Sequence, residues 1–383
     1  MDLSTAWEEV VTGERPSVPA SLARCGLVAL SVPYRAALAA NIGVFDLGVL
    51  RRARLPCPVL SVGNLTLGGT GKTSATALVA QHLRQCGLRP AIILRGHGRA
   101  DKAACLVSRG DGQPPAPAQA RAAAPPAGDE ATMLARLLPH IPVAVGKWRE
   151  SAGRLLLEHT DANVMVLDDG FQYFRMTRDL DIVLLSALSP LARQRLFPGG
   201  RLREPLSHLR RAAAVWLTHT DLACDQAVAE IAALARQAAP AGRLAHARHR
   251  PVGLRRLGED DLTDPARLAG RRIAALSSIG SPRAFELTLQ RLGAAEIKPI
   301  RYPDHHAYVP ADLDAIASVC NAADLLVTTE KDAVRLPQEA ASRLDCRVLR
   351  CEMEIIQGAE QAFALIDEAA RCPSARKTPS DAS

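Results

Sequence analysis

Pro58-Val-Leu-Ser-Val-Gly-Asn-Leu-Thr-Leu-Gly-Gly-Thr-Gly-Lys-Thr73 is a short apolar run followed by a glycine-rich turn that ends in Gly-Lys-Thr. This order is typical of a nucleotide-phosphate loop, in which glycines let successive backbone N–H groups converge on phosphate oxygens. Lys72 is expected to reach the β- and γ-phosphates, and the Thr73 hydroxyl is expected to ligate Mg²⁺. A helix predicted over Thr73 to Cys86 would direct its positive N-terminal dipole at the same anion. A glycine-rich turn with an incidental lysine is the alternative, but the order of strand, turn, Lys-Thr and helix favours a nucleoside triphosphate site.

A second apolar run ends in two carboxylates. Residues 163–169 read Asn-Val-Met-Val-Leu-Asp-Asp, so Asp168 and Asp169 stand where a buried strand is predicted to end. Ligands gather outside the carboxyl ends of strands in open α/β sheets, and a carboxylate there can hold Mg²⁺ beside a phosphate loop. The alternative is an Asx turn or a helix cap. Beside the Gly-Lys-Thr turn, the pattern indicates a magnesium site.

Asp129 and Glu130 open a predicted helix that follows a flexible stretch. As helix residues they would cap the first turn and interact favourably with the helix dipole. As catalytic residues, Asp129 would accept the proton of an attacking hydroxyl group, as kinases of small molecules require. Sequence spacing does not decide between these two roles.

Three further stretches carry charged groups suited to chemistry. In Asp304-His305-His306, one histidine paired with a carboxylate would orient a catalytic group, whereas surface histidines are often inert. Residues 328–332 close another strand with tightly spaced charges, for which local pairing in a solvated loop is the alternative. In residues 197–205, Arg201 or Arg203 could clamp a phosphoryl group or form a surface salt bridge.

Composition sets broad limits on the class of protein. The chain has 383 residues, of which 48% are hydrophobic, so it is long enough for two globular domains. Its net charge of +7 comes mainly from arginine, which fits phosphate or anionic-lipid binding and equally fits codon bias. The nine cysteines lack the spacing of a zinc ribbon, and the first residues lack a signal peptide, so we expect reduced thiols in a protein that is not exported.

Short apolar runs alternate with helix-compatible segments along the chain, which predicts an α/β fold with parallel sheets covered by helices. The runs are Val59 to Val62, Ala91 to Leu94, Val143 to Val145, Val164 to Leu167, Ile182 to Leu185, Ala213 to Leu217, Ile273 to Leu276, Leu325 to Thr328 and Val348 to Cys351. A polar, Arg-rich stretch from Ala238 to Asp264 divides the runs into six and three, and we place a domain boundary there. The predicted units are an N-terminal helical segment (1–54), a nucleotide-binding domain (55–245), a second α/β domain (246–371) and a disordered tail (372–383), with a flexible loop over 110–128.

The segment from Ala20 to Leu50 is apolar, but charged residues cut it into two uncharged runs of ten residues each. A helix needs about 20 apolar residues to cross a bilayer, so a clean transmembrane span is not expected. The arginines at 51, 52 and 54 would allow the segment to lie among anionic headgroups. An amphipathic helix packed on the domain is the alternative.

Taken together and in order, these motifs resemble the tetraacyldisaccharide 4'-kinase family of lipid A biosynthesis. Thr66 stands where the general phosphate-loop pattern has glycine, and this family's loop has threonine there. The resemblance covers nearly the whole chain. Besides the N-terminal apolar helix, it is carried by residues 61–73, Arg95-Gly-His-Gly-Arg99, Gly128-Asp-Glu130, Asp168-Asp-Gly-Phe-Gln172, Pro198-Gly-Gly-Arg-Leu-Arg-Glu-Pro205, Ile279-Gly-Ser-Pro282, Asp304-His-His306 and Thr329-Glu-Lys-Asp332.

The resemblance implies two α/β/α domains with the active site in the cleft between them. It also implies transfer of the ATP γ-phosphate to the 4'-hydroxyl of a tetraacylated glucosamine disaccharide 1-phosphate at the cytoplasmic face of a bacterial inner membrane. The implied phosphate-binding residues are Thr66, Gly68, Gly69, Thr70, Gly71, Lys72 and Thr73. The implied Mg²⁺ ligands are Thr73, Asp168 and Glu130, and the implied catalytic residues are Asp129 as base, His305 or His306 as its partner, Asp169 and Arg203.

The implied partners are the lipid disaccharide and an anionic membrane surface, with the protein a monomer that binds no nucleic acid. Two other functions remain open at this point. One is a phosphate-loop kinase or synthetase of a soluble metabolite, with the N-terminal helix used only for packing. The other is a nucleotide-switched binding protein, for which Thr218-His-Thr-Asp221 is weakly similar to a guanine-specificity motif but lacks its Asn-Lys.

Overall fold

The computed structural model describes residues 7, 10–11, 18–96, 99, 101–113, 127–189, 191, 194–320 and 323–371. The predicted tail from residue 372, most of the predicted flexible loop and His97 of the Arg95–Arg99 motif lie outside these residues.

The described residues form helices and strands in alternation. The helices are α1 (Val18–Asp46), α2 (Lys72–Gln85), α3 (Asp129–Leu137), α4 (Arg149–His159), α5 (Asp225–Ala238), α6 (Pro282–Arg291), α7 (Pro310–Cys320), α8 (Glu330–Ala333), α9 (Ala340–Arg343) and α10 (Ala359–Arg371). The strands are β1 (Val59–Asn64), β2 (Pro90–Leu94), β3 (Cys105–Ser108), β4 (Val143–Val145), β5 (Val164–Asp168), β6 (Leu180–Ser186), β7 (Ala214–Thr218), β8 (Arg243–Arg256), β9 (Arg272–Ser277), β10 (Glu296–Arg301), β11 (Leu325–Thr329) and β12 (Cys346–Gln357).

All the strands belong to one mixed sheet in the order β10-β9-β11-β12-β8-β7-β6-β1-β5-β2-β4-β3. Neighbouring strands are parallel except for β3 with β4 and β8 with β12. Every residue of β1, β2, β5 and β7 is buried, as expected for strands covered by helices on both faces. On one face of β1, Leu60 packs with Val79 of α2, and on the other Val59 packs with Leu156 of α4. The α/β fold class is therefore confirmed.

Each of the nine apolar runs overlaps a strand, but three strands were not predicted. β3 and β10 lie at the two edges of the sheet, where one side of the backbone is unpaired and side chains are partly exposed, so neither has a long apolar run. Pro299, which cannot donate a ladder hydrogen bond, fits only such an edge strand. β8 is half exposed and rich in arginine, so its sequence was interpreted as a polar stretch between domains.

β8 connects two groups of strands and sets their relative orientation. The first group is β1 to β7, and the second group is β9 to β12. Its first residues, 243–246, pair with β7, whereas its last residues, 254–256, lie opposite the start of β12, which in turn pairs with β11. His246, the last residue of β8 that pairs with β7, and Leu254 are eight residues apart along the strand, which corresponds to about 27 Å. Because β12 runs antiparallel to β8, the strands of the second group run opposite to those of the first. The carboxyl ends of both groups therefore face each other across a cleft, and the predicted boundary at residue 245 falls inside β8.

Helix α1 lies against the segment that follows β6. Ser31 Oγ donates to the carbonyl oxygen of Leu196 at 2.8 Å, and Tyr34 Oη donates to the carbonyl oxygen of Arg203 at 2.9 Å. In the described part of the chain, one stretch is long and apolar enough to cross a membrane by length and composition. This stretch is Pro19–Asp46, whose most apolar window has mean hydropathy 1.4 and is not buried within the protein. The sequence did not lead us to expect a clean span, and whether α1 crosses or lies along a bilayer stays a prediction.

We predict that Gly63→Ala destabilises the protein by about 1–3 kcal/mol, because overpacking a filled core shifts its backbone. A Cβ atom on Gly63 would lie 2.5 Å from Phe171 Cβ and 2.9 Å from the Phe171 backbone nitrogen. The matched control is Gly43→Ala in α1, where no atom of the described residues lies within 4 Å of the added atom and alanine favours the helix. Thermal unfolding followed by circular dichroism measures both variants, and equal melting temperatures would contradict the prediction.

Candidate active site

The phosphate loop joins the end of β1 to the start of α2. Asn64, the buried last residue of β1, donates through Nδ2 to the carbonyl oxygen of Thr66 at 2.8 Å and to Thr70 Oγ1 at 3.0 Å. Its side chain thus spans the loop and fixes its curvature. Gly71 has a φ of 85°, in the left-handed region that favours glycine, and α2 begins at the next residue, Lys72. The loop therefore has the strand, turn and helix order predicted for it, with Lys72 and Thr73 in the first turn of α2.

Both groups of strands enclose this loop. A Cβ atom on Gly280, in the segment between β9 and α6, would overlap the Gly69 backbone nitrogen. A Cβ atom on Gly71 would lie 2.6 Å from the His249 ring, which comes from β8. The absence of side chains at these glycines is what allows the two groups to approach each other. The predicted Ile279–Pro282 motif lies directly on the phosphate loop.

Two stacked histidines pack beneath the phosphate loop, and the sequence analysis did not predict that they would lie there. The rings of His219 and His249 stack with centroids 4.8 Å apart, and His219 Nδ1 lies 2.9 Å from Ser186 Oγ. Burial lowers the pKa of His249 to about 4, and it also lowers the pKa of His219. Both rings are therefore neutral near pH 7 and add no positive charge beneath the loop.

Asp169 lies between two cations at the carboxyl end of β5. Arg203 NH1 donates to both of its carboxylate oxygens, at 2.8 and 2.9 Å, and Lys72 Nζ lies 3.9 Å from Oδ1. Burial alone would raise the pKa of Asp169, but Lys72 and Arg203 outweigh burial and hold it at about 2. Asp169 also has a φ of 53°, a conformation that a non-glycine residue adopts at a cost. The structure thus joins Asp169, Lys72 and Arg203, three of the predicted site residues.

Asp168 has a different environment from its neighbour. Oδ1 accepts a hydrogen bond from Thr76 Oγ1 at 3.3 Å, whereas the buried Oδ2 has no hydrogen-bond partner among the residues that the structure describes. Burial, followed by the negative charges of Glu130 and Asp169, raises the pKa of Asp168 well above its usual range. A buried carboxylate oxygen without a donor, next to further carboxylates, is suited to a hard divalent cation. Asp168 therefore has the chemistry of the Mg²⁺ ligand predicted for it, and the full set with Thr73 and Glu130 stays a prediction.

Asp129, the first residue of α3, meets residues of the second group across the cleft. His305 Nδ1 lies 2.9 Å from Asp129 Oδ2, and Arg335 Nε lies 3.3 Å from the same oxygen. Burial alone would raise the pKa of Asp129, but the hydrogen bond to His305 and the charges of Lys331 and Arg335 hold it well below its usual range. Asp129 is therefore ionised, and its carboxylate is oriented from two directions.

His306 does not reach Asp129. Its Nε2 lies 2.8 Å from Asp312 Oδ2, and its ring stacks on Tyr302 with centroids 4.5 Å apart. The sequence left open which histidine meets Asp129, and the structure brings only His305 to it. His305 has a φ of 62°, so the backbone turns between the two histidines and directs them to different sides.

Glu130 connects the two parts of the site. Its carboxylate lies 3.3 Å from Lys331 Nζ, which also lies 3.4 Å from Asp304 Oδ1. Its charge also contributes to the raised pKa of Asp168. Local pairing was the alternative for the charges at 328–332, but Lys331 pairs across the cleft. The acids on the first group and the bases on the second thus attract each other through the site.

Arg335 is a site residue that the sequence analysis missed. Its side chain is 8% exposed, and NH1 donates to Ser278 O at 2.9 Å and to Ser278 Oγ at 2.6 Å. Fully buried Asp332 accepts from the Ser278 hydroxyl at 2.7 Å and from the Tyr308 hydroxyl at 3.1 Å. This network fixes Arg335 beneath Asp129. One arginine in an arginine-rich chain carries no signal, and only the neighbouring Thr329–Asp332 motif pointed to this region.

Arg149, at the start of α4, was missed for the same reason. It is 6% exposed, and its guanidinium group lies over the Tyr173 ring at 4.5 Å. Its positive charge helps to keep the pKa of Asp169 low. The site therefore carries more fixed positive charge beside Asp169 than the sequence motifs indicated.

Comparisons with known proteins agree with this geometry. The sequence profile described as Tetraacyldisaccharide-1-P 4'-kinase matches residues 23–371. The tetraacyldisaccharide 4'-kinase of Anaeromyxobacter sp. strain K is 40% identical over 374 residues, which cover 96% of each chain. That of Anaeromyxobacter dehalogenans strain 2CP-C is 42% identical over 352 residues, or 91% of each chain.

A solved structure extends the likeness to the fold. LpxK of Aquifex aeolicus, crystallised in complex with ATP, superposes with a TM-score of 0.68 at 28% identity, covering 91% of this chain and 99% of that one. The resemblance drawn from the ordered motifs is thus confirmed, and neither alternative function is favoured. Since the profile spans almost the whole chain and the relatives match it from end to end, this chain belongs to the tetraacyldisaccharide-1-P 4'-kinase family.

Proposed function

We propose that the chain transfers the γ-phosphate of ATP to the 4'-hydroxyl of a tetraacyldisaccharide 1-phosphate, with Asp129 as the base. The observation that carries this proposal is that Asp129 and Glu130 begin one helix that contacts the second group of strands, while the charge of Glu130 also acts on Asp168 at the end of β5. A hydroxyl group entering the cleft beside Asp129 would meet a phosphoryl group held near Lys72. The arrangement provides the positioning and charge stabilisation on which phosphoryl transfer depends.

The nucleotide is proposed to bind with its phosphates along the loop from Thr66 to Thr73. Backbone N–H groups at Gly68, Gly69, Thr70 and Gly71 and the ammonium group of Lys72 would hold the phosphate oxygens. Mg²⁺ would be held by Thr73, Asp168 and Glu130, and its charge would offset the charge that develops on the phosphate oxygens. The lone Oδ2 of Asp168 supports this assignment.

The proposed base depends on its neighbours for orientation. A carboxylate with a low pKa is a weak base, but it is fully ionised and so can accept the hydroxyl proton as the oxygen attacks. His305 and Arg335 hold Asp129 Oδ2 from two sides. We assign His305 as a positioning residue and His306 to the packing of its own loop. Asp169 and Arg203 are proposed to act as a pair, with the guanidinium group stabilising the transferring phosphoryl group while Asp169 orients it.

The lipid substrate is proposed to enter from an anionic membrane surface on the cytoplasmic side of the inner membrane. The exposed apolar side chains of α1 and of the turn after it support this. They are Leu22, Leu30, Val32, Leu47, Val49 and Leu50. The arginines at 51, 52 and 54 follow them in the chain and would face lipid phosphates. Acyl chains could then remain in the lipid while the sugar reaches the cleft, and we propose that the protein acts there as a monomer.

Incubation with γ-labelled ATP and tetraacyldisaccharide 1-phosphate in mixed micelles tests the activity. A labelled bisphosphorylated lipid is expected, and an acceptor without the 4'-hydroxyl should stay unlabelled. Labelling of a soluble sugar in place of the lipid would contradict the proposal.

We predict that Asp129→Ala lowers kcat by about 10²–10⁴-fold while ATP binding stays near normal, because general bases contribute this much. His305→Ala should lower kcat in the same direction but less. His306→Ala is the matched control, and it should reduce thermal stability without a comparable loss of kcat. Steady-state kinetics and calorimetric ATP titrations provide the measurements, and equal losses of kcat in both histidine variants would remove the assignment of His305.

We predict that Mg²⁺ binds more tightly as the pH rises from 6 to 8. The raised pKa of Asp168 means that this carboxyl group keeps its proton to a higher pH than usual, and the proton must leave before the metal binds. Asp169, with a pKa of about 2, stays ionised throughout and adds no pH dependence. Calorimetric titration with Mg²⁺ and a non-hydrolysable ATP analogue measures the effect.

Asp168→Asn is the control for this experiment, because it keeps the pH dependence of the nucleotide's own phosphates. The slope of Mg²⁺ affinity against pH should be smaller in the variant than in the wild type. Identical slopes would show that Asp168 does not titrate with metal binding.

We predict that the double variant Leu30→Glu, Val32→Glu lowers affinity for vesicles that contain anionic lipid by about tenfold or more. These side chains are 56% and 70% exposed, and burying each in lipid would contribute roughly 1.5–3 kcal/mol. Leu262→Glu, at an exposed leucine in the segment between β8 and β9, is the matched control and should bind as the wild type does. Vesicle co-sedimentation measures the effect, and unchanged binding by the double variant would contradict the docking of α1.

A further inference from the structure

Three metal-ligating side chains meet on the surface away from the phosphate loop. His82 and Cys86 lie four residues apart on one side of the end of α2, and Asp367 comes from α10. His82 Nε2 lies 2.9 Å from Asp367 Oδ1 and 3.6 Å from Cys86 Sγ, and the three donor atoms all lie within 4.8 Å of one another.

The two distances from His82 Nε2 are close to those between ligands of one tetrahedral zinc ion. With the usual Zn–N, Zn–S and Zn–O distances, tetrahedral geometry places N and S about 3.5 Å apart and N and O about 3.3 Å apart. The observed N to S distance agrees with the first value, and the N to O distance needs to lengthen by only about 0.4 Å.

The surrounding structure holds the three groups in place. The His82 ring stacks on Phe363 of α10 with centroids 4.3 Å apart and planes at 23°. Leu83 of α2 and Ile366 of α10, each adjacent in sequence to a donor, are fully buried in the same core. The side chains of His82 and Asp367 are 17% and 27% exposed, so an ion can enter from solvent while the helices stay fixed.

We propose that His82, Cys86 and Asp367 form a binding site for a borderline-soft divalent cation of the zinc class, with water as the fourth ligand. The ion would replace the proton between His82 Nε2 and the carboxylate, and the Cys86 thiol would release its proton to solvent. Mg²⁺ does not suit this set, because it prefers six oxygen ligands.

The proposed site lies at the opposite end of α2 from the phosphate loop. Lys72 begins the helix and Cys86 follows its last residue, so the two ends are about 21 Å apart. A bound ion would link α2 to α10 and stabilise their packing without touching the nucleotide. Its expected role is structural, and it is separate from the proposed Mg²⁺ ligands.

Titration of the full-length protein with Co²⁺ in the absence of nucleotide tests the site. A thiolate-to-cobalt charge-transfer band should grow to one equivalent, and Zn²⁺ should then remove it. Cys86→Ser and His82→Asn should each lose the band or weaken Co²⁺ binding by at least tenfold. Cys224→Ser, at an exposed cysteine elsewhere, is the matched control and should keep the band.

A second measurement guards against misfolded variants. One equivalent of Zn²⁺ should raise the melting temperature of the wild type and of Cys224→Ser, but not that of Asp367→Asn, whose circular dichroism should be unchanged. A charge-transfer band that persists in Cys86→Ser, or no band in the wild type, would overturn the proposal.

Discussion

The pairing of β8 with both β7 and β12 is the constraint on which the rest of the structure depends. A strand of 14 residues carries the second group of strands beyond the carboxyl edge of the first and reverses their direction. Two ordinary carboxyl edges, each suited to ligands, are thereby set face to face. The cleft therefore follows from the hydrogen-bond register of β8 with its two neighbouring strands. This register also brings Gly280 to the phosphate loop and His305 to Asp129.

Charge then decides how the two faces of the cleft meet. The first group presents Asp129 and Glu130 at the start of α3, and the second presents His305, Lys331 and Arg335. Burial alone would favour the neutral form of Asp129, but the hydrogen bond to His305 and the charges of Lys331 and Arg335 keep it ionised. At Asp168, burial and the negative charges of Glu130 and Asp169 outweigh the positive charge of Lys72, so the pKa of this carboxyl group rises. Two adjacent carboxyl groups of the site therefore differ, because the pKa of Asp168 is raised and that of Asp169 is lowered.

Local sequence predicted the parts of this site but not their assembly. The phosphate loop and the Asp168–Asp169 strand end could be found because glycine, lysine and paired acids have local physical reasons to occur where they do. β8 could not, since half-exposed arginines hide its strand pattern. The choice between His305 and His306 depends on a left-handed backbone at one residue, and Arg335 depends on buried partners distant in the chain. Long-range pairing and backbone conformation leave little trace in one sequence.

The segment from Leu196 to Arg203 connects helix α1 to the candidate active site. Its backbone accepts hydrogen bonds from Ser31 and Tyr34 of α1, and the side chain of Arg203 donates hydrogen bonds to Asp169. A displacement of α1 would therefore act through this segment on Arg203, the residue we propose to stabilise the transferring phosphoryl group. Under the proposed docking of α1 on a membrane, the rate would follow the density of substrate in the lipid film rather than its concentration in bulk solution.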